Sequence, residues 1–287
     1  MTGLDASFAA CRRITRQANS SFPIAFRLLP ADQRRGMDAL YAWLRIVDDI
    51  ADGNDSDKRE RLREWQSLVV LSPSERSAPV TLRVAAQQEI LPAFRATVEH
   101  FHLREEHLLA VLDGVASDLE PRTFATFDEL SPYCYRVASV VGFLCLSIWG
   151  VDNPAANAPA EAAGIAFQLT NILRDLGEDR GNGRVYLPLE DLTRFDCHAK
   201  SWSDTPAFRR LMQFQIDRAK HYYKLSEPLL PLLPPPARAM FGTMTGIYRE
   251  LLDEIERHPA AVLTRRLRVN RLKKLSLLAT NYFFSNL

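Results

Sequence analysis

The feature that most restricts this chain is a helical rhythm that is almost never interrupted. Apolar residues recur at three- and four-residue spacing near 3–18, 30–52, 58–70, 79–100, 104–118, 127–150, 159–179, 206–232, 236–257 and 261–282. No stretch alternates as a half-buried strand would. Breakers separate the segments: GNDSD at 53–57, SPSERSAP at 72–79, DNPAANAP at 152–159, RGNGR at 180–184 and LLPPP at 232–236. None is long or biased enough to link two domains, and the sequence holds no tandem repeat. Helices of roughly 20 residues joined by short breaks predict an all-α fold, a single domain over residues 1–287.

Composition narrows the class further. With 47% hydrophobic and 25% charged residues, the chain can bury a sizeable core. Its 36 Lys+Arg balance 35 Asp+Glu, which argues against nucleic acid as a partner. Cys11, Cys134, Cys145 and Cys197 form no C-x-x-C pair, so reduced thiols in a cytoplasmic protein are expected. The histidines include no H-E-x-x-H, so zinc is not expected. The first 20 residues carry Asp5, Arg12, Arg13 and Arg16 around no apolar centre, unlike a secretory signal. The longest apolar run, VASVVGFLCLSIWGV at 137–151, reaches about 22 Å as helix. That is short of a ~30 Å hydrocarbon core and predicts a buried central helix.

Two acidic constellations carry the chemistry. In YAWLRIVDDIAD, the residues Tyr41, Arg45, Asp48 and Asp52 fall within about 60° of one another on a helix. In QLTNILRDLGED, Gln168, Asn171, Asp175 and Asp179 form a matching stripe, with Arg174 beside it. Carboxylates at i and i+4 repel, and here Ile46, Val47, Ile50, Leu169, Ile172, Leu173 and Leu176 flank them. Such groups on largely apolar helices call for a cation. Oxygen-only donors favour Mg²⁺, which completes its shell with water and substrate phosphate, so a diphosphate ligand is expected. A solvated acidic face would explain one such motif more simply than it explains two. No G-x-x-x-x-G-K-[ST] is present, and Gly181-Asn182-Gly183 follows a helix, so neither a nucleoside triphosphate nor a dinucleotide is indicated.

At these residues the chain resembles the squalene/phytoene synthase family of head-to-head prenyl transferases. SSFPIAFRLLP (20–30), ALYAWLRIVDDIAD (39–52), YCYRVASVVG (133–142), AFQLTNILRDLGEDRGNGRVYLP (166–188) and YRELLDEI (248–255) carry the likeness in order. Within the family it looks nearest to bacterial presqualene diphosphate synthases. The resemblance implies an isoprenoid-synthase fold, with helices around a central cavity. It makes Asp48, Asp52, Asp175 and Asp179 ligands of two or three Mg²⁺ ions, with Asn171 assisting. Arg45 and Arg174 would serve the diphosphates, as would Ser21 and Tyr186. Tyr133 would stand beside the reacting carbons. Tyr248 and one of Arg265 or Arg266 match C-terminal diphosphate contacts. Asn19 departs from the small or hydroxyl residue common there.

The chemistry needs a dry cavity around an allylic cation. Phe22, Phe26, Val137, Val141, Leu144 and Leu169 are candidate walls, and Tyr41 joins Arg45, Tyr133 and Arg174 as a candidate catalytic residue. The leading expectation is condensation of two farnesyl diphosphates to presqualene diphosphate. The alternatives are phytoene from two geranylgeranyl diphosphates, squalene or dehydrosqualene, or a non-catalytic helical assembly factor. Squalene formation would add NADPH, which no motif indicates. Bulky Phe26 favours the C15 chain. RGNGR fits either a flap over the site or a plain surface turn. The basic segment 265–274 fits a peripheral membrane contact, or a helix whose apolar face packs on the core. The sequence carries no signal of oligomeric state.

Overall fold

Helix accounts for every regular element among the residues described by this computed structural model, namely 3–18, 22–53, 55–70, 85–120, 122–198 and 202–284. In chain order these are α1 (Gly3–Gln17), α2 (Phe22–Ala25), α3 (Ala31–Asp52), α4 (Lys58–Val69) and α5 (Ala85–His100). Next come α6 (Glu105–Ala116), α7 (Phe127–Cys134), α8 (Val140–Ile148), α9 (Asn157–Arg174), α10 (Leu176–Gly181) and α11 (Leu189–Arg194). The chain closes with α12 (Pro206–Ser226), α13 (Pro235–Arg257) and α14 (Arg271–Phe284). Local chemistry sets several starts. Thr126 accepts the Glu129 N–H at 3.3 Å to cap α7, and Thr205 accepts the Phe208 N–H at 3.1 Å to cap α12. Pro206 then occupies the first turn of α12, where its missing N–H costs nothing.

Two packing groups enclose the centre. In one, α3 lies against α1 and α5; in the other, α9 lies against α12, α8 and α13. Trp43 stacks on Phe94 at 4.9 Å and meets Trp65 edge-on at 6.4 Å, tying α3 to α5 and α4. Across the middle, α7 and α8 run together through a π turn, Tyr135–Ser139. The 22-residue helix Phe127–Ile148 is long and apolar enough to cross a membrane, so the short length expected from the apolar run does not decide its place. Burial decides it: Leu130, Tyr133, Cys134, Val140, Leu144 and Ile148 all lie in the core.

Three expected helices are subdivided. The 159–179 segment breaks at Asp175, between α9 and α10. The 206–232 segment tightens into a 3₁₀ helix at Glu227–Leu232, whose Pro228 and Pro231 remove backbone donors. Within 261–282 only α14 is α-helical; a 3₁₀ turn at Pro259–Leu263 and an extended stretch precede it. The extended backbone delivers Arg266 to Asp175, a tertiary ion pair that overrides local propensity. Residues 79–84 lie outside the described residues.

The π turn fits because Gly164 of α9 lies directly beneath it. A Cβ at Gly164 would stand 2.5 Å from the Ser139 nitrogen and 2.7 Å from its Oγ. Gly164→Ala is therefore expected to force α9 off the π turn and lower unfolding free energy by about 3 kcal/mol. Denaturant unfolding of both proteins measures this, and an unchanged midpoint would remove the close approach from the account.

Candidate active site

One half of the site follows from the two faces of α3. Leu40, Trp43, Val47 and Ile50 recur at helical spacing and are almost wholly inaccessible. With that face fixed in the core, Tyr41, Arg45, Asp48 and Asp52 point the other way, into the mouth of a cavity of about 1060 Å³. This volume lies at the upper end of the ~300–1,000 Å³ usual for small-molecule sites.

The facing half comes from α9 and α10. Ile165, Leu169, Ile172 and Leu173 are buried, and Thr170 Oγ1 shares a 2.8 Å hydrogen bond with the Tyr223 hydroxyl of α12. Gln168, Asn171, Arg174, Asp175 and Asp179 line the cavity. The break at Asp175 does not disperse the stripe. The Asp175 N–H still bonds the Asn171 carbonyl at 2.9 Å, and the Asp179 N–H bonds the Asp175 carbonyl at 2.8 Å. Gly177 sets α10 on the Pro259–Leu263 turn, since a Cβ there would come within 2.7 Å of the Val262 carbonyl oxygen.

Arginines bracket most of these carboxylates. Arg45 pairs with Asp49 at 2.7 Å. Arg174 Nε donates to Asp175 Oδ1 at 2.8 Å, and Arg266 Nε approaches the same oxygen at 3.1 Å. Arg266 also lies 3.6 Å from Glu178. From the loop after α10, Arg184 reaches across to Asp52 at 3.0 Å, joining the two halves. Asp48 and Asp179 differ. Asp48 is open to the cavity yet enclosed by protein, and desolvation followed by the charge of Asp52 pushes its carboxyl up to about 7. Desolvation and Asp175 likewise push Asp179 up to about 7, against the pull of Arg184.

The donor set suits a divalent cation. Asn171 Oδ1 is buried beside these carboxylates with no hydrogen-bond partner, a cost of about 1–3 kcal/mol unless a ligand takes it. Among the described residues no three acidic, His or Cys side chains converge tightly enough to hold a metal unaided.

Aromatic rings floor the mouth. Phe22 lies 6.1 Å from Tyr41 and 5.7 Å from Tyr248, Phe26 lies 6.0 Å from Tyr41, and Phe167 lies 4.7 Å from Tyr248. The Tyr248 hydroxyl is in hydrogen-bonding reach of Asn171 and Arg174. Tyr133, Val137 and Val141 continue the wall inward. Leu144 and Leu169, expected as walls, are instead packed in the core behind it, because they fall on the far faces of their helices. Of the two C-terminal candidates, Arg266 lines the cavity, whereas Arg265 is exposed outside it. Tyr186 is buried behind Tyr133 rather than at the cavity surface, with the rings 5.3 Å apart. Ser21 and Asn19 lie outside the described residues.

Three residues escaped the sequence reading. Phe167 looks like ordinary core. Arg184 sits in the RGNGR loop with no spacing relation to Asp52. Asp118 ends a helix with no motif around it, yet its carboxylate takes hydrogen bonds from both Tyr133 and Tyr186.

A profile of the squalene/phytoene synthase family matches residues 15–273. The phytoene synthase of Arthrospira platensis is 35% identical over 291 residues, covering 94% of this chain and 90% of that protein. That of Mycobacterium tuberculosis is 35% identical over 284 residues, covering 96% and 90%. The crystal structure of a dehydrosqualene synthase in complex with ligand aligns with TM-score 0.86 at 28% identity, over 99% of this chain and 98% of that one. With facing acidic stripes on an all-helical frame and a match over nearly its full length, this chain belongs to the squalene/phytoene synthase family, the head-to-head prenyltransferases of isoprenoid biosynthesis, and has their terpenoid-synthase fold.

Proposed function

We propose that this chain condenses two geranylgeranyl diphosphates head to head, giving phytoene and releasing both diphosphates. The observation that carries the reading is the pair of acidic stripes facing each other over the mouth of an apolar, aromatic-walled cavity. The choice of a C20 substrate rests on relatives named phytoene synthase, which share 35% identity over nearly the whole chain. It displaces the expected farnesyl pair as the leading reading. The farnesyl pair stays as a second reading on one observation. Phe26, a bulky side chain only 2% exposed, packs against Tyr41 on the cavity wall, and bulk there favours the shorter chain.

The residues divide the work by chemistry. Bound Mg²⁺ would supply the positive charge that lets diphosphate depart; Asp48, Asp52, Asn171, Asp175 and Asp179 would hold it. Arg45, Arg174 and Arg266 stand at the rim to orient diphosphate oxygens. The rings of Tyr41, Phe22, Phe26 and Tyr248 can stabilise positive charge on the allylic carbon that diphosphate leaves, each contributing about 0.5–2 kcal/mol. Val137 and Val141 keep water from that carbon.

The end of the chain suggests where a water-insoluble product leaves. Along α14, Leu272, Leu275, Ala279, Tyr282 and Phe283 fall on one face that points outward, with Leu272 80% and Phe283 67% exposed. The other side of α14 packs on α13, where Leu277 meets Gly246 and Asn281 meets Gly242, so the helix carries apolar residues on both sides. Arg265, Arg268 and Arg271 are exposed beside it and have no ion-pair partner among the described residues. The neighbouring residues Arg266–Val269 line the cavity rim. An anionic bilayer surface complements both the greasy stripe and the cations.

Incubation with Mg²⁺ and C20 or C15 diphosphate, with and without NADPH, followed by mass spectrometry, identifies the product. Release of diphosphate from neither substrate would leave the helical assembly factor standing. Asp48→Asn and Asp179→Asn are each expected to lower kcat at least about 100-fold with helix content unchanged by circular dichroism; full activity would remove the metal-ligand assignment. Co-sedimentation with vesicles containing anionic lipid should show binding that weakens with added salt and with Leu272→Ser plus Phe283→Ser. Equal binding to neutral vesicles, or none, would overturn the membrane contact.

A further inference from the structure

One cavity-facing carboxylate belongs to neither acidic stripe. Asp118 sits in the 3₁₀ turn Ser117–Leu119 that ends α6. Its Oδ2 accepts the Tyr133 hydroxyl at 2.8 Å, and its Oδ1 accepts the Tyr186 hydroxyl at 3.1 Å. The two rings lie 23° from parallel, and Phe124 packs against both, at 5.6 and 6.3 Å. The Asp118 carbonyl accepts from Arg184 at 3.4 Å, the same guanidinium that holds Asp52.

Burial pushes the Asp118 carboxyl up, while the two phenols, Arg184 and Arg122 favour its charged form. A neutral acceptor would satisfy a phenol at less desolvation cost, so a carboxylate at this place calls for a reason. Hydrogen-bond inventory supplies one. A phenol has a single hydrogen, and an ionised carboxylate can only accept. Both hydrogens are therefore taken up inside the trio, at Asp118 or, because the two hydroxyls are in reach of each other, at the neighbouring phenol, leaving lone pairs on Tyr133 for anything else. An amide at this position would have to donate to one phenol, turning that phenol's hydrogen away.

We propose that Asp118 is a positioning residue for the condensation: by fixing both phenol hydrogens it turns the lone pairs and electron-rich ring of Tyr133 toward positive charge in the cavity. The inference rests on the prenyl-cation reading of the site. It assigns the 117–119 turn, remote from both aspartate motifs in sequence, a role in guarding the cation.

The test compares Asp118→Asn with Asp118→Glu, alone and in a Tyr133→Phe plus Tyr186→Phe background. Asp118→Asn is expected to lower kcat about 10- to 100-fold with KM within about twofold, and to divert more substrate to the water-quenched alcohol. Asp118→Glu, which also only accepts, should retain more kcat than Asp118→Asn. In the double-phenylalanine background, Asp118→Asn should have no further effect. Ultraviolet titration of the protein without substrate should show buried phenols ionising at lower pH in Asp118→Asn, because a neighbouring negative charge is gone. Wild-type kcat in Asp118→Asn, equal losses in the Asn and Glu variants, or a full further loss without the phenols would overturn the proposal. If the protein turned over neither diphosphate, the titration would still read the contact and would separate failure here from failure of the substrate reading. Should Asp118→Asn not fold, the Glu variant in both backgrounds carries the same comparison.

Discussion

Carboxylates of like charge repel one another and are poorly solvated beside a hydrocarbon-lined space, and much of this bundle is arranged around that tension. Asp49, Asp52 and Asp175 are relieved by Arg45, Arg184, Arg174 and Arg266, drawn from four separate stretches of chain. Asp48 and Asp179 are left toward the cavity with their acidity weakened to about 7. Arg45 and Arg184 also act on these two carboxyls through their charge, but burial and the neighbouring aspartates outweigh them. Asp175, the most enclosed of the three paired carboxylates, keeps one arginine if the other is replaced, whereas Asp49 and Asp52 are more than half exposed and their single pairs contribute little.

The helices can bear this because each has a second face that is unambiguously core. On α3 the Trp43–Trp65–Phe94 cluster secures the side opposite Asp48 and Asp52. On α9 the buried Leu169, Ile172 and Leu173, with the Thr170–Tyr223 hydrogen bond, do the same for Asn171 and Asp175. Stability and function therefore lie on opposite sides of the same two elements, and the stripe can be unfavourable because the far side is not.

What could be read from sequence was what depends on neighbours along one helix. The stripes at Tyr41–Asp52 and Gln168–Asp179 were legible because i, i+4 spacing is local, and it survived even the break at Asp175. The link between Asp118 and the two tyrosines was not legible, since it joins three segments with no periodic relation. Arg265 and Arg266 could not be told apart because the stretch carrying them is extended, and its direction is set by Asp175. The periodicity of α14 identified an amphipathic helix but not which face would meet the core. Chain-length preference depends on cavity depth, to which neither stripe contributes.

The contact of Gly177 with the carbonyls of Val262 and Leu263 has a consequence for how this family member can change over time. It locks the helix bearing Asp179 to the turn that precedes Arg266, so the second acidic stripe and that arginine share one mechanical reference point. The tail of the chain is consequently not an appendage to the catalytic frame but one of its gauges. Substitutions in the Pro259–Leu263 turn will register as altered spacing at the second acidic stripe, and drift in either segment must be matched in the other.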